Sequence, residues 1–318
     1  MPRFAIATFL LMCVSPASLA SQSRAKVPLP CESQYQVLSP TGIQMAVQCK
    51  DNSLHVVDIP DGKEQTIFSA EQRANAFSPV YSQDGHWLAV GFEDGSVEVI
   101  SSRNTTAPRH WKAGPHRVDV LYFFPDPKTL FVGPVDSHGQ IWDVTATPTL
   151  RATLPVDFGG INVCAASPDG KLLVAAGDDT VIRWFDTATW QRVREYRGLL
   201  LETFALAFAA DGKYVLAGGA DSRITVLDAA SARQIRRLPP ETGSFIFAID
   251  ILGDKQRAAA VYLDDAGEKP PHGLLWDLAT AKSVPLNSES PPTCGTVVGG
   301  KLWLCATNGT VLTISQYE

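Results

Sequence analysis

The 318 residues carry 27 Lys and Arg against 33 Asp and Glu, a net charge of −6, so no general basic field is present to neutralise nucleic-acid phosphates. Hydrophobic residues make up 45% of the chain and charged residues 19%, which excludes an intrinsically disordered polypeptide. The 24 Gly and 22 Pro provide the punctuation that a fold with many tight turns requires.

The first element in chain order reads as a processing signal. Arg3 is its only charge, the apolar run Phe4 to Val14 follows, and Ser18-Leu19-Ala20 places small residues for a cut after Ala20. The run is 11 residues long, whereas a spanning helix needs ~20, so no membrane span is expected. A lipoprotein reading would use Cys13, but Met12 is bulky for that cleavage site. The expected mature unit is residues 21–318, a single domain in the periplasm or extracellular space.

The segment Arg24 to Leu29 is predicted to be an outermost edge strand, since Pro28 and Pro30 suit no other sheet position. Seven units follow. Their shared marker falls at Asp58, Ser101, Asp143, Asp186, Asp228, Asp277 and Ser315, and each marker is preceded by an apolar residue. The spacings are 43, 42, 43, 42, 49 and 38 residues. Seven residues upstream lie Asp51, Asp94, Asp136, Asp179, Asp221 and Asn308; sixteen upstream lie Gly42, Gly85, Pro127, Gly170 and Gly212.

The fourth unit shows the internal plan. Apolar runs Ile161–Ala166, Leu172–Ala176 and Val181–Phe185 are separated by Ser-Pro-Asp-Gly and Asp-Asp-Thr turns, and a polar run Arg192–Tyr196 completes it. Such short runs between Gly, Pro and Asp are strands and hairpins. Units of ~40–45 residues with four strands stack as propeller blades. The expected fold is therefore an all-β, seven-bladed β-propeller of four-stranded antiparallel blades, closed by the N-terminal segment pairing with the last blade. In the sixth unit about six residues are inserted, most simply within Asp264–His272.

The runs Ser167-Pro168-Asp169-Gly170-Lys171, Asp136 to Asp143 and Leu275-Trp276-Asp277 resemble the WD40-repeat family. The resemblance implies the propeller fold and a partner-binding role; it names no partner. The family's Gly-His pair is echoed only by Gly114-Pro115-His116, so the turn Asp side chains are expected to cap backbone N–H groups locally.

Removing Cys13 leaves five cysteines. Hairpin symmetry about Gly299-Gly300 and about Ser39–Gly42 makes Cys294–Cys305 and Cys31–Cys49 candidate cross-strand disulfides, with all five as buried small hydrophobes the alternative. Cys164 is expected free and buried. No Cys-x-x-Cys motif, phosphate loop, dinucleotide fingerprint or Gly-x-Ser-x-Gly elbow occurs, and the six His fall at different repeat positions. No catalytic residue, metal or cofactor is assigned.

The function expected is a non-catalytic, monomeric, protein-binding scaffold using loops on one face. The alternative is a small propeller hydrolase or lactonase with a carboxylate or metal site in the central channel. Candidate binding residues are Asp264, Asp265, Glu268 and Lys269 in the sixth-unit insertion. On the same face lie Arg73, His116, Phe158, Arg197 and Glu202.

Overall fold

Turns at the Gly and Asp columns fold each repeat back on itself, and the apolar runs between them pair as antiparallel strands. The computed structural model describes residues 22–69, 76–103, 106–135, 137–154, 160–252, 256–264, 270–286, 292–298, 301–306 and 310–314. Six sheets are each built from four consecutive strands. Blade 1 comprises Ser33–Leu38, Gln44–Cys49, Leu54–Asp58 and Glu64–Phe68. Blade 2 comprises Ala76–Tyr81, Trp87–Phe92, Ser96–Ser101 and Arg109–Lys112. Blade 3 comprises Val118–Phe123, Thr129–Pro134, Gly139–Asp143 and Thr149–Leu154. Blade 4 comprises Ile161–Ala166, Leu172–Gly177, Ile182–Asp186 and Arg192–Tyr196. Blade 5 comprises Thr203–Phe208, Tyr214–Gly219, Thr225–Asp228 and Gln234–Arg237. Blade 6 comprises Ser244–Ile251, Arg257–Asp264, His272–Asp277 and Lys282–Pro285.

A further four-stranded sheet, blade 7, is composite and brings the number of sheets to seven. Pro292–Val298, Lys301–Ala306 and Thr310–Ile314 form its first three strands, and Gln22–Lys26 adds the fourth in antiparallel register, Gln22 opposite Ile314. The first strand of every sheet packs beside that of the next, and the first strand of blade 7 packs beside that of blade 1, so the sheets close into a ring. The first and last described strands thus share one sheet, with Gln22–Lys26 as its outer strand, as the fourth strand is in the other blades. The closing strand ends before Pro28 and Pro30, earlier than the Arg24–Leu29 expectation. Val27, just beyond it, is fully buried, so the prolines belong to the lead-in to blade 1.

The alternation of side chains along each third strand builds the core between sheets. Residues preceding the marker (Val57, Ile100, Trp142, Phe185, Leu227, Trp276) all pack against the preceding blade. Their chain neighbours Val56, Val99, Ile141, Trp184 and Val226 pack against the following one. Each blade thus hides two apolar faces, while the outer strands keep polar residues in solvent. Cys31 and Cys49 are joined across the start of blade 1, with Cα atoms 5.8 Å apart, and Cys164 is free and buried. Backbone register sets Cys294 opposite Cys305.

The Asp columns are turn chemistry. Asp51, Asp94, Asp179 and Asp221 each accept the N–H two residues on, as do Asp84, Asp169 and Asp211 in the Gly-bearing turns. Hydroxyls of Ser53, Ser96 and Ser167, aided by those N–H groups, hold Asp51, Asp94 and Asp169 below the usual carboxylate range. Thr145, with Arg151 assisting, takes Asp143 down to about 2. Because the folded values are lowered, this stabilisation is complete above about pH 4, the unfolded value, and is lost as pH falls through the folded values. The urea midpoint is expected to stay flat from pH 5 to 8 and to drop steeply below about pH 4; an unchanged midpoint at pH 3 would contradict this.

Candidate interaction face

At one end of the ring lie the connections between blades and the turns joining second to third strands. The sequence-selected residues were placed on that end. Arg73, Phe158, Asp265, Glu268 and Lys269 lie outside the described residues. Asp264 and His272 are strand residues rather than loop: Asp264 pairs with Ser244, and the His272 ring stacks on Tyr262 with centroids 5.4 Å apart. The sixth-unit insertion is therefore partly absorbed by lengthening its first two strands to eight residues each, against six in blades 2 to 5.

Arg197 and Glu202 bound the connection from blade 4 to blade 5. Arg197 donates to Glu195 at 2.7 and 3.1 Å, and the Glu202 carbonyl accepts the Ala220 N–H at 3.0 Å. His116 is exposed on a different connection, between blades 2 and 3, so the structure does not gather it with Arg197 and Glu202.

A feature the sequence reading missed organises this face. Every first strand pairs with its second through a bulge near the connection end, between Ser33 and Tyr35, Phe77 and Val80, Val118 and Val120, Ile161 and Val163, Thr203 and Ala205, Ile246 and Ala248, and Pro292 and Cys294. The extra residue is left out of the ladder and re-aimed. In blades 3 and 4 it is polar: Asp119 accepts from Arg117 at 2.8 and 3.1 Å, and Asn162 donates to Asp178 at 2.6 Å. In blades 5 and 6 it is aromatic, Phe204 and Phe247.

Phe204 meets Phe245 edge-on at 5.6 Å, while Phe247 is 47% exposed. The adjoining connection presents Leu200 and Leu201, 65% and 48% exposed. Most other exposed apolar residues (Leu150, Val193, Ile235, Val284) sit singly on outer strands, where solvent contact is ordinary. The Leu200–Leu201–Phe204–Phe245–Phe247 group differs because it gathers at one end of two neighbouring blades.

That connection is held from behind. Arg237 on the outer strand of blade 5 donates to the Gly198 carbonyl, to Tyr196 Oη at 3.3 Å and to Thr225 Oγ1 at 3.2 Å. Gly219 approaches it so closely that an added Cβ would lie 2.0 Å from the Glu202 carbonyl oxygen. Outer-strand arginines thus act partly as clamps, since Arg236 also reaches the Ala279 carbonyl of blade 6. No group of three or more His, Cys, Asp or Glu suited to a metal occurs among the described residues. Likewise, no described helix is long and apolar enough to cross a membrane.

The architecture is a β-propeller carrying a WD40 repeat: residues 148–186 match the family described as WD domain, G-beta repeat. Transducin beta-like protein 3 of Rattus norvegicus is 25% identical over 136 residues, 42% of this chain and 17% of that protein. The U3 small nucleolar RNA-associated protein 15 homolog of Gallus gallus is 27% identical over 115 residues, 36% of this chain and 22% of that protein. The chain thus spans less than a quarter of the length of these curated relatives. Among solved structures, a chain of the Mitotic Checkpoint Complex aligns with a TM-score of 0.76 at 16% identity, covering 99% of this chain and all of that one. The Myceliophteria thermophila Cps50 (Swd1) β-propeller domain aligns at 0.74 and 12% identity, covering 92% of this chain and 100% of that domain.

Proposed function

We propose that this propeller is a non-catalytic binding module, acting in the periplasm or outside the cell, that grips a protein partner with its connection-bearing face. The observation that carries the reading is the apolar group Leu200, Leu201, Phe204, Phe245 and Phe247 at the connection end of blades 5 and 6. The phenylalanines stand on paired strands and the leucines on a connection held by Arg237, so these side chains lose little conformational entropy on burial and serve well as anchors. A chain of the same fold belongs to the Mitotic Checkpoint Complex. Such company supports a scaffold role here.

The test is a Leu201→Asp, Phe247→Asp double variant compared with Val193→Asp on an outer strand. Partner captured by wild-type protein should bind the double variant about 100-fold more weakly, two anchors being lost, and the outer-strand control as wild type. Unchanged affinity in the double variant would remove the assignment.

The location rests on the N-terminal signal pattern and on the paired cysteines. Exported protein, denatured without reductant, should incorporate a single alkyl group, at Cys164, with Cys31–Cys49 and Cys294–Cys305 oxidised. Alkylation of all the mature cysteines would argue against both the bridges and the oxidising compartment.

A further inference from the structure

The apolar group at the connection end of blades 5 and 6 is bordered by charge of one prevailing sign. Glu202 follows directly on Leu200 and Leu201, and its carbonyl ties it to Ala220 in the second turn of blade 5. That turn carries Asp221 and Arg223, and Leu201, Glu202, Asp221 and Arg223 line one depression. Glu241 stands in the next connection, where its carbonyl accepts the Ser244 hydroxyl at 3.1 Å, just ahead of Phe245. Three carboxylates and one guanidinium therefore edge the apolar surface, all of them half-buried.

Other charges at this end are already engaged. Arg197 is held by Glu195, and Asp178 accepts from Asn162. In contrast, Glu202, Asp221, Arg223 and Glu241 form no ion pair among the described residues. Asp221 uses one oxygen to cap the Arg223 N–H at 3.1 Å, and its other oxygen has no hydrogen-bond partner among the described residues. Three carboxylates against one guanidinium leave the border negative, within a chain of net charge −6. Rim charge of this kind selects the partner and speeds its arrival, while the apolar centre holds it. A second copy of this chain, or an anionic surface, would bring like charges together over the patch. A segment with Lys or Arg beside its apolar side chains brings opposite ones.

We propose that this face receives a basic amphipathic segment of a partner protein, its apolar side chains seated on Leu200, Leu201 and Phe247 and its cations answering Glu202, Asp221 and Glu241. The proposal rests on the binding reading above and adds to it the charge of the partner.

The experiment titrates the purified mature protein with three synthetic peptides that share one set of leucines and phenylalanines. They differ only in the flanking residues, which are lysine, glutamine or glutamate. At low salt the lysine peptide should bind about fivefold tighter than the glutamine peptide, and the glutamate peptide most weakly. The preference should shrink below about twofold at roughly 0.5 M salt. Glu202→Gln with Glu241→Gln should remove most of it, Arg223→Gln should increase it, and Glu202→Lys with Glu241→Lys should reverse the order. Leu201→Ala with Phe247→Ala should weaken all three peptides alike. Equal binding of the three peptides, still lost in that alanine variant, would overturn the charge assignment and leave the binding face standing. No binding of the lysine peptide, a preference for glutamate, or an undiminished lysine preference in the folded glutamine variant would also overturn the proposal. So would self-association of the protein through Leu201 and Phe247, which would give the patch to a second copy.

Discussion

Asp179→Ala is expected to destabilise the propeller by about 3 kcal/mol, because it strips the carboxylate from a buried guanidinium. The Arg183 side chain is 3% exposed and that of Asp179 is 11% exposed. Arg183 Nη1 donates to Asp179 Oδ1 at 3.1 Å and its other terminal nitrogen binds the second carboxylate oxygen. Asp179 also caps the Val181 N–H at 3.2 Å, so alanine removes a turn bond with the charge partner. The expected loss sits at the low end for a broken buried pair because Glu195 faces Arg183 in the adjoining strand and supplies some negative potential. Replacing both residues, Asp179→Ala with Arg183→Met, should recover more than half of the loss, since no cation is then left in the core. Urea midpoints of the wild type, the two single variants and the double variant measure this directly. A loss under about 1 kcal/mol for Asp179→Ala would show that the pair is solvated despite its burial.

The same Asp179 explains why so much of the fold was legible. Its column recurs because a turn requires a side-chain acceptor at a fixed offset, and the acceptor's partner is two residues away in the same chain. Local chemistry of that kind leaves a periodic trace. The apolar column before the marker leaves one too, since each member meets the blade before it. What failed to show was non-local or phase-shifted. The proline positions suggested a closing strand at Arg24–Leu29, but register with Thr310–Ile314 placed it at Gln22–Lys26. In blades 5 and 6 a period-two reading carries Phe204 and Phe247 along as ordinary strand residues. The bulges interrupt that period and bring Phe247 to the surface, where no composition rule would have put it. Nothing local to Arg237 marks it as a clamp, because its contact with Gly198 spans 39 positions. Of the residues selected for the site, Arg197 and Glu202 bound the connection that carries Leu200 and Leu201. The selection favoured charge, whereas the distinguishing property of that connection is its exposed apolar surface.

Trp184 gives the other large expected effect. Its indole is fully buried between blades 4 and 5, in a cluster where Ala165, Ala176, Ala217, Ala229 and Ala232 sit beside Val174, Ile182, Leu206, Val215 and Leu227. Half of these buried residues are alanines, which have no side-chain torsion with which to close the space the ring fills. Trp184→Ala should therefore cost about 3–5 kcal/mol, the range for deleting a buried aromatic where the walls relax little. The indole nitrogen differs from its counterparts: Trp142 donates to Gln140 at 2.8 Å and Trp276 to Tyr262 at 2.9 Å, whereas Trp184 Nε1 is buried with no hydrogen-bond partner among the described residues. Trp184→Phe removes that unpaired donor along with some volume, and these changes oppose each other. The phenylalanine variant should stay within about 1.5 kcal/mol of wild type, and Trp276→Phe should cost more because it strands the Tyr262 hydroxyl. Blades stabilise one another chiefly through nearest-neighbour contacts, so the alanine variant should also expose amides of blades 4 and 5 to hydrogen exchange before those of blades 1 and 2. Equal losses for Trp184→Ala and Trp184→Phe would show that the interface collapses around the vacancy, and the packing argument for this column would fail with it.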